Sequence, residues 1–293
     1  MFGRNKKVGL ALSGGGARAL SHIGVIKVLE ELGVKIDVIS GTSMGSIIGS
    51  FYSSGTGIEK LKGYVESLDW KSFLLFSDFS FVKSGGMING RRVEEVLDRF
   101  LGDKCFEDCD IKFNCTAVDI ISREEVILDS GLLKDAVRAS ISIPGFFSPV
   151  CLNNKVLVDG GIIEPLPTRS IKKLNPDIII GSSIVFENQD RLKAFCDLGD
   201  KNNKKGDPVL KKSKPNVKRK VSSIPVNTIL DISLNIMHRE MILPYLGHAD
   251  ILIEPEVGDF GFMDFTKGKE MIARGVEAAE KMIPVLKKKL RLK

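Results

Sequence analysis

The clearest chemical potential lies in the pentapeptide Gly41-Thr42-Ser43-Met44-Gly45, between a β-branched run and a helix start rich in small residues. A G-x-S-x-G sequence in that position is typical of a nucleophile elbow, a sharp turn that exposes a serine hydroxyl. Its glycines, Gly41 and Gly45, let neighbouring backbone approach closely. The free N–H groups of the following helix favour negative charge beside the serine. We therefore expect Ser43 to be a nucleophile.

A glycine loop directly after the first apolar run is the second candidate element. The backbone N–H groups of Gly14, Gly15 and Gly16 could stabilise the oxyanion that forms when a serine attacks an ester. Arg18 could add positive charge there. The alternative is a dinucleotide fingerprint, since Gly14, Gly16 and Ala19 fit G-x-G-x-x-A. That alternative is disfavoured because no acidic residue stands at the end of the second strand, where a ribose would bind.

A serine nucleophile also needs a base, and the chain has three histidines. His22 shares a helical face with apolar residues, which is typical of a packed histidine. His248 follows a glycine before the last predicted strand and is placed like the late histidine of a Ser-His-Asp triad. The other candidate is Asp159, which an apolar strand delivers into a turn formed by Gly160 and Gly161. Asp-Gly is also a common turn sequence, so the residues alone leave His248 and Asp159 open.

The elements that must position these residues alternate between strands and helices. Short β-branched apolar runs predict strands, and apolar residues repeating at i, i+3, i+4 and i+7 predict helices between them. The predicted strands cover residues 8–12, 34–40, 111–121, 125–128, 155–158, 177–185 and 251–254, and predicted helices include residues 25–32, 46–52, 132–141 and 226–243. This alternation predicts an α/β fold, a three-layer α/β/α sandwich with a mainly parallel central sheet.

Composition favours a globular protein. The chain has 293 residues, of which 43% are hydrophobic and 27% charged, which excludes a wholly disordered, collagen-like or coiled-coil chain. Its apolar runs are too short for a transmembrane helix, and the one at the N-terminus is too short for a signal peptide. The five cysteines fit free thiols in a reducing compartment, and Cys105 and Cys109 lack a second pair of metal ligands. We therefore expect a cytoplasmic protein without a metal site.

The net charge of +6 is concentrated in two segments. Residues 201–220 contain nine basic residues and one acidic residue, within a polar stretch that predicts a flexible insertion at about 191–223. Five of the last seven residues are basic, which predicts a basic tail at about 287–293. Such runs are commonly solvated loops, and the functional alternative is an anionic membrane surface. Nucleic acid is not expected as a partner, because no aromatic residues are interleaved with the basic run.

Five aromatic residues are concentrated in a short segment between residues 70 and 81. Such a cluster is typical of a hydrophobic core, or of a flap that covers an acyl channel or contacts a lipid interface. The sequence leaves both interpretations open. The members of this aromatic cluster are Trp70, Phe73, Phe76, Phe79 and Phe81.

Four segments, at residues 13–18, 41–45, 136–145 and 159–161, together resemble the patatin-like phospholipase family. The resemblance implies one patatin-like domain over residues 1–293 and hydrolysis of lipid acyl esters by a Ser-Asp dyad. It implies that Ser43 is the nucleophile and Asp159 the base, and that the glycine loop forms the oxyanion hole. It further implies independence from calcium, and no cofactor is expected. The alternative of a different class is a membrane-associated adaptor on a hydrolase scaffold. The oligomeric state is not indicated.

Overall fold

The computed structural model describes residues 6–67, 86–88, 90–184 and 226–292. The aromatic cluster of residues 70–81, the basic run of residues 201–220 and the predicted insertion at 191–223 therefore lie outside the described residues.

The described residues form the predicted strands and helices together with several short additional ones. The strands are β1 Val8–Leu12, β2 Val38–Thr42, β3 Gly86–Ile88, β4 Lys112–Asp119, β5 Glu124–Leu128, β6 Gly145–Phe147, β7 Val150–Leu152, β8 Lys155–Asp159, β9 Ile178–Ser182 and β10 Ile251–Ile253. The helices are α1 Ser21–Glu31, α2 Met44–Ser53, α3 Ile58–Glu66, α4 Arg91–Leu101, α5 Leu133–Ser140, α6 Val226–Leu246, α7 Gly268–Lys281 and α8 Ile283–Leu290.

The second strand starts later than its β-branched pattern predicts. β2 begins at Val38 because Val34 completes the end of α1, where its N–H donates to the Leu29 carbonyl over 2.9 Å. A helix C-terminus leaves carbonyls without intrahelical donors, and the following residues commonly supply them. The predicted strand thus loses its first residues to the cap of the preceding helix.

Within the described residues, the main sheet has eight strands, in the order β10-β9-β1-β2-β4-β8-β7, with β5 paired to β4. The first five strands of that order are mutually parallel, whereas β5, β7 and β8 pair antiparallel with their neighbours. β3 and β6 form a separate two-stranded sheet. The prediction of a mainly parallel central sheet is confirmed, with an antiparallel edge added to it.

Both faces of the sheet are covered. Successive side chains of a strand point to opposite faces, and in β1 the side chains of Leu10 and Leu12 join one hydrophobic cluster while Ala11 joins the other. The larger cluster includes residues of α1 and α7, and the smaller one includes Ile242 and Tyr245 of α6. The fold is therefore the predicted three-layer α/β/α arrangement, in which α6 covers one face.

The predicted basic tail begins inside a helix. Lys287 to Lys289 lie on the exposed side of α8, which is anchored by the buried side chain of Leu286. No helix within the described ranges is long and apolar enough to cross a membrane.

Candidate active site

Ser43 occupies a strained turn between β2 and α2. Its backbone has φ 53° and ψ −126°, a conformation that is costly for a residue with a side chain and recurs at functional sites. The turn is held by hydrogen bonds on both sides. The Ser43 N–H donates to Oγ of Ser140 over 3.1 Å, and its carbonyl accepts from the Ser46 hydroxyl over 2.6 Å. The serine side chain is thus fixed, almost buried, at the N-terminus of α2.

The two glycines around Ser43 are required by close backbone contacts. A Cβ atom on Gly41 would lie 2.6 Å from the Gly45 carbonyl oxygen, and one on Gly45 would lie 2.3 Å from the carbonyl oxygen of Leu12. Any larger residue would therefore push α2 away from the end of β1 and displace the serine.

Asp159 is brought beside Ser43 by strand β4, which pairs with both of their strands. Thr42 is paired with Thr116, and Asp159 with the next residue, Ala117. Gly160 continues the chain past β4, where a Cβ atom would lie 2.2 Å from Oγ1 of Thr116. The predicted Asp-Gly-Gly turn therefore carries the carboxyl group across the end of the sheet to the serine.

The Asp159 carboxyl is buried and only partly satisfied. Its Oδ1 accepts a hydrogen bond from the Gly161 N–H over 2.7 Å. Its buried Oδ2 forms no hydrogen bond of normal geometry with any described residue. Burial raises the pKa of Asp159 to about 6, and the Ser43 hydroxyl and the Gly161 N–H act in the opposite direction. The Ser43 hydroxyl thus lies close enough to favour the carboxylate, and contacts of this kind are often long or poorly aligned in unliganded sites.

The glycine loop after β1 adopts backbone conformations that favour glycine, with φ 148° at Gly15 and 60° at Gly16. The Gly14 N–H already donates to the Pro165 carbonyl over 3.0 Å, and the Ala17 N–H donates to Phe262 over 2.8 Å. Of the three donors considered from the sequence, Gly14 is therefore engaged within the protein. Gly15 also lines the pocket that contains Ser43, whereas Gly16 packs against Phe262 and does not line it.

Arg18 is positioned differently from the sequence expectation. Its buried guanidinium donates from Nε to the Phe260 carbonyl over 2.6 Å and from Nη1 to Oδ1 of Asn235 over 2.9 Å. Arg18 does not line the pocket that contains Ser43. It instead ties the glycine loop to α6 and to the segment around Phe260.

A pocket of about 110 Å³ lies over Ser43 and Asp159. It is smaller than the roughly 150 Å³ cavity that is known to hold benzene. Residues of α6 form one of its walls. The lining residues are Gly14, Gly15, Ser43, Ile143, Pro144, Asp159, Gly161, Ile162, Asn235, Met237, His238, Met241 and Phe262.

The three histidines have different environments. His22 is buried between the Ser182 hydroxyl, 2.7 Å from Nδ1, and the Ser13 carbonyl, 2.9 Å from Nε2, which agrees with the prediction of a packed histidine. His248 is exposed, lies edge-on to the Tyr245 ring and does not line the pocket. His238, to which no sequence motif assigns a role, does line it.

A second buried carboxyl group, Glu164, lies in the turn after Asp159. Its Oε1 accepts the Arg169 N–H over 2.6 Å and the Ser170 N–H over 3.3 Å, and its Oε2 accepts the Ser170 hydroxyl. Its carbonyl accepts the Thr42 hydroxyl over 2.9 Å, beside the nucleophile. Burial and the neighbouring Glu125 carboxyl raise the pKa of Glu164. No sequence motif indicated that Glu164 supports the turn at Ser43, or that Ser140 does.

The fold and site define an α/β protein with a serine in a strained strand-to-helix turn beside a buried aspartate. Residues 10–172, more than half of the chain, match the family model described as patatin-like phospholipase. The chain therefore belongs to the patatin-like phospholipase family.

Relatives and solved structures agree with this assignment. The chain is 34% identical over 194 residues to lysophospholipase NTE1 of Phaeosphaeria nodorum, a match covering 66% of this chain and 13% of that protein. It is 34% identical over 178 residues to an uncharacterized NTE family protein of Mycobacterium bovis, covering 61% and 49%. The chain thus spans half or less of these relatives. The fold is shared with VipD from Legionella pneumophila, at a TM-score of 0.51 and 13% identity, covering 96% of this chain and 67% of that one.

Proposed function

We propose that this protein is a serine lipid acyl hydrolase that cleaves carboxylic esters of phospholipids, lysophospholipids or related acyl esters through a Ser43–Asp159 dyad. The observation that carries the proposal is the meeting of a strained, buried serine with a buried carboxyl whose Oδ2 has no formed hydrogen bond among the described residues. The pKa of about 6 leaves Asp159 ionised at neutral pH yet more basic than an exposed aspartate, which suits a general base.

In the first half of the proposed reaction, Oγ of Ser43 adds to the ester carbonyl and its proton passes to Asp159. The carbonyl electron pair moves onto the oxygen, which the Gly15 N–H group and the N-terminus of α2 stabilise. The tetrahedral intermediate then expels the alcohol or lysolipid, which takes the proton from Asp159. Ser43 is left as an acyl ester.

In the second half, a water molecule adds to the acyl-enzyme and gives its proton to Asp159. The fatty acid leaves, and the proton returns to Oγ of Ser43. Since Asp159 carries every proton in both halves, the scheme uses no histidine, calcium ion or cofactor.

A lipid substrate is supported by the pocket mouth. Ile162, Met237 and Met241 line the pocket and are also substantially exposed, and Ile236 continues this apolar surface along α6. We call these four residues the apolar rim. The pocket is small, so a long acyl chain would extend over the rim, and one relative is named a lysophospholipase.

Peripheral contact with an anionic membrane is part of this proposal. Exposed apolar side chains beside a site favour insertion into a lipid interface, and basic segments add about 1 kcal/mol per residue near an anionic surface. Replacing Met237 and Met241 by Ser should weaken binding to anionic vesicles at high salt, whereas deleting residues 201–220 should weaken it mainly at low salt. Unchanged binding in both variants would contradict the membrane contact, and hydrolysis of a soluble ester is the control.

The decisive experiment for the activity is labelling by a fluorophosphonate probe, measured together with ester hydrolysis. Wild type should label and turn over, and Ser43→Ala should do neither. A folded wild-type protein that never labels would favour the adaptor alternative. Loss of turnover in His248→Ala, with turnover retained in Asp159→Asn, would favour a triad that uses His248.

A further inference from the structure

One wall of the pocket carries the imidazole ring of a histidine that the proposed dyad does not use. His238 of α6 lines the pocket together with Met237 and Met241 of the same helix. These two neighbours are apolar, and Asn235, the other polar lining residue of α6, has its side-chain oxygen bonded to Arg18. Asn235 keeps its amide N–H donors, and His238 is the residue of this helix whose ring nitrogen lies beside Gly14, within 4 Å of a Cβ atom built there.

Gly14 lies between this ring and Ser43. A Cβ atom built on Gly14 would lie 3.2 Å from Cβ of Ser43 and 3.9 Å from Nε2 of His238. Ser43 and the His238 ring therefore line the same pocket on either side of Gly14. A position close to both nucleophile and hydrogen-bond donor is what an acyl-transfer site must offer to the reacting carbonyl.

The helix that carries His238 is anchored on both sides of that residue. Oδ1 of Asn235, three positions earlier and hence on the same face of α6, accepts the Arg18 guanidinium over 2.9 Å. Near the C-terminal end of α6, the Tyr245 hydroxyl donates to the Ile163 carbonyl over 2.8 Å, and the Thr168 hydroxyl donates to the Tyr245 carbonyl over 3.2 Å. The backbone that carries the imidazole is thus held in place before substrate arrives, which favours transition-state stabilisation.

The surroundings of His238 keep its ring neutral. Burial, together with the positive charge of Arg18, lowers the pKa of His238 to about 4. A neutral imidazole has one N–H donor and one acceptor nitrogen. It does not release its N–H proton near neutral pH, so it cannot protonate the leaving alcohol, and that proton still comes from Asp159. Donation of a hydrogen bond remains open to it.

We propose that His238 contacts the substrate and donates a hydrogen bond from Nε2 to the ester oxygen that becomes negative as Ser43 adds to the carbonyl. The inference rests on the proposed acyl-hydrolase function. No proton is transferred at His238: the new bond is between Oγ and the carbonyl carbon, the serine proton goes to Asp159, and the electron pair goes to the oxygen. The imidazole adds a donor beside Gly14, whose own N–H is engaged by Pro165.

The test compares the full-length wild type with His238→Ala and His238→Gln, using a p-nitrophenyl ester as substrate. Loss of a transition-state donor lowers kcat and leaves KM nearly unchanged, so His238→Ala should lose about 100-fold in kcat. Gln retains a side-chain N–H donor and should recover activity to within about tenfold of wild type. His248→Ala, at the exposed end of the same region, is the matched control and should behave as wild type.

The outcomes separate this inference from the function on which it rests. If His238→Ala keeps the wild-type kcat, or if a folded His238→Gln is as slow as the alanine variant, the proposed hydrogen bond is wrong while the dyad stands. If Ser43→Ala hydrolyses the ester as fast as wild type, the proposed function itself is wrong and the inference falls with it. Thermal melts of each variant establish that the compared proteins are folded.

Discussion

Asp159 and Glu164 are two buried carboxyl groups on the same turn, and their surroundings differ sharply. Both have a raised pKa, for which burial is the largest cause. The oxygens of Glu164 accept hydrogen bonds from the Arg169 and Ser170 N–H groups and the Ser170 hydroxyl. Asp159 has one such bond, from Gly161, and its Oδ2 has none within the described residues.

The difference shows how one turn can serve structure and chemistry with the same functional group. A buried carboxyl that is fully hydrogen-bonded holds its neighbours in place, and Glu164 holds the segment up to Ser170 and, through its carbonyl, Thr42. A buried carboxyl with an uncommitted oxygen keeps a site open for a proton, and such groups are concentrated at functional sites. Burial alone therefore does not tell the two roles apart, whereas the count of donors does.

The largest expected difference between the two groups is in turnover. Asp159→Asn should lower kcat on a soluble ester by about 10³-fold or more, because the amide cannot accept the serine proton. Glu164→Gln preserves the shape of a group that only supports the turn and should stay within about tenfold of wild type. Steady-state kinetics measures both, and equal losses would contradict the separation of roles.

A smaller effect is expected on the free energy of unfolding at pH 8, where substitutions of the two carboxyl groups should act in opposite directions. The folded state holds the Asp159 proton more tightly than the unfolded state, since the pKa rises from 3.8 to about 6. Stability therefore falls as pH rises through this range, and Asp159→Asn should regain up to about 3 kcal/mol. Glu164→Ala should instead cost about 2–4 kcal/mol, because it leaves buried N–H groups without an acceptor.

Chemical denaturation at pH 8 measures these free energies of unfolding. Repeating the measurement at pH 4 supplies the control, since the gain in Asp159→Asn should shrink when the wild-type carboxyl is protonated. A destabilised Asp159→Asn at pH 8 would mean that Oδ2 has a structural partner after all.

The smallest expected effect is the pH dependence of activity. The base must be ionised, so kcat/KM should rise with pH through about 6 and be about tenfold lower at pH 5 than at pH 8. Glu125→Gln removes the carboxyl that helps to raise the pKa of Glu164. This substitution should leave the acid limb of the pH profile of kcat/KM unchanged. A shift of the limb in that variant would show that the two buried carboxyls titrate together.

The sequence was sufficient for most of the architecture because local patterns encode it. Strand and helix periodicity predicted the parallel sheet, and the start of β2 was missed because a cap on the preceding helix decided it. A motif with local meaning predicted Ser43 as the nucleophile, whereas the choice of Asp159 over His248 as the base came from the family resemblance. No motif indicated Ser140, which supports the Ser43 N–H from 97 residues away, because its role depends on how separate elements pack. The same holds for Glu164 and for His238 in the pocket.

The position of α6 has a consequence for how this enzyme class can diversify. The dyad and the glycine loop all lie within the matched residues 10–172, whereas α6, which forms a wall of the pocket, comes later in the chain. Apart from His238, the proposed reaction machinery and the residues that enclose the substrate are thus encoded in separate stretches of sequence. Exchanging Ile236, Met237 and Met241 for the residues of other family members, with His238 kept, should therefore change which acyl chains are accepted without altering the proposed chemistry.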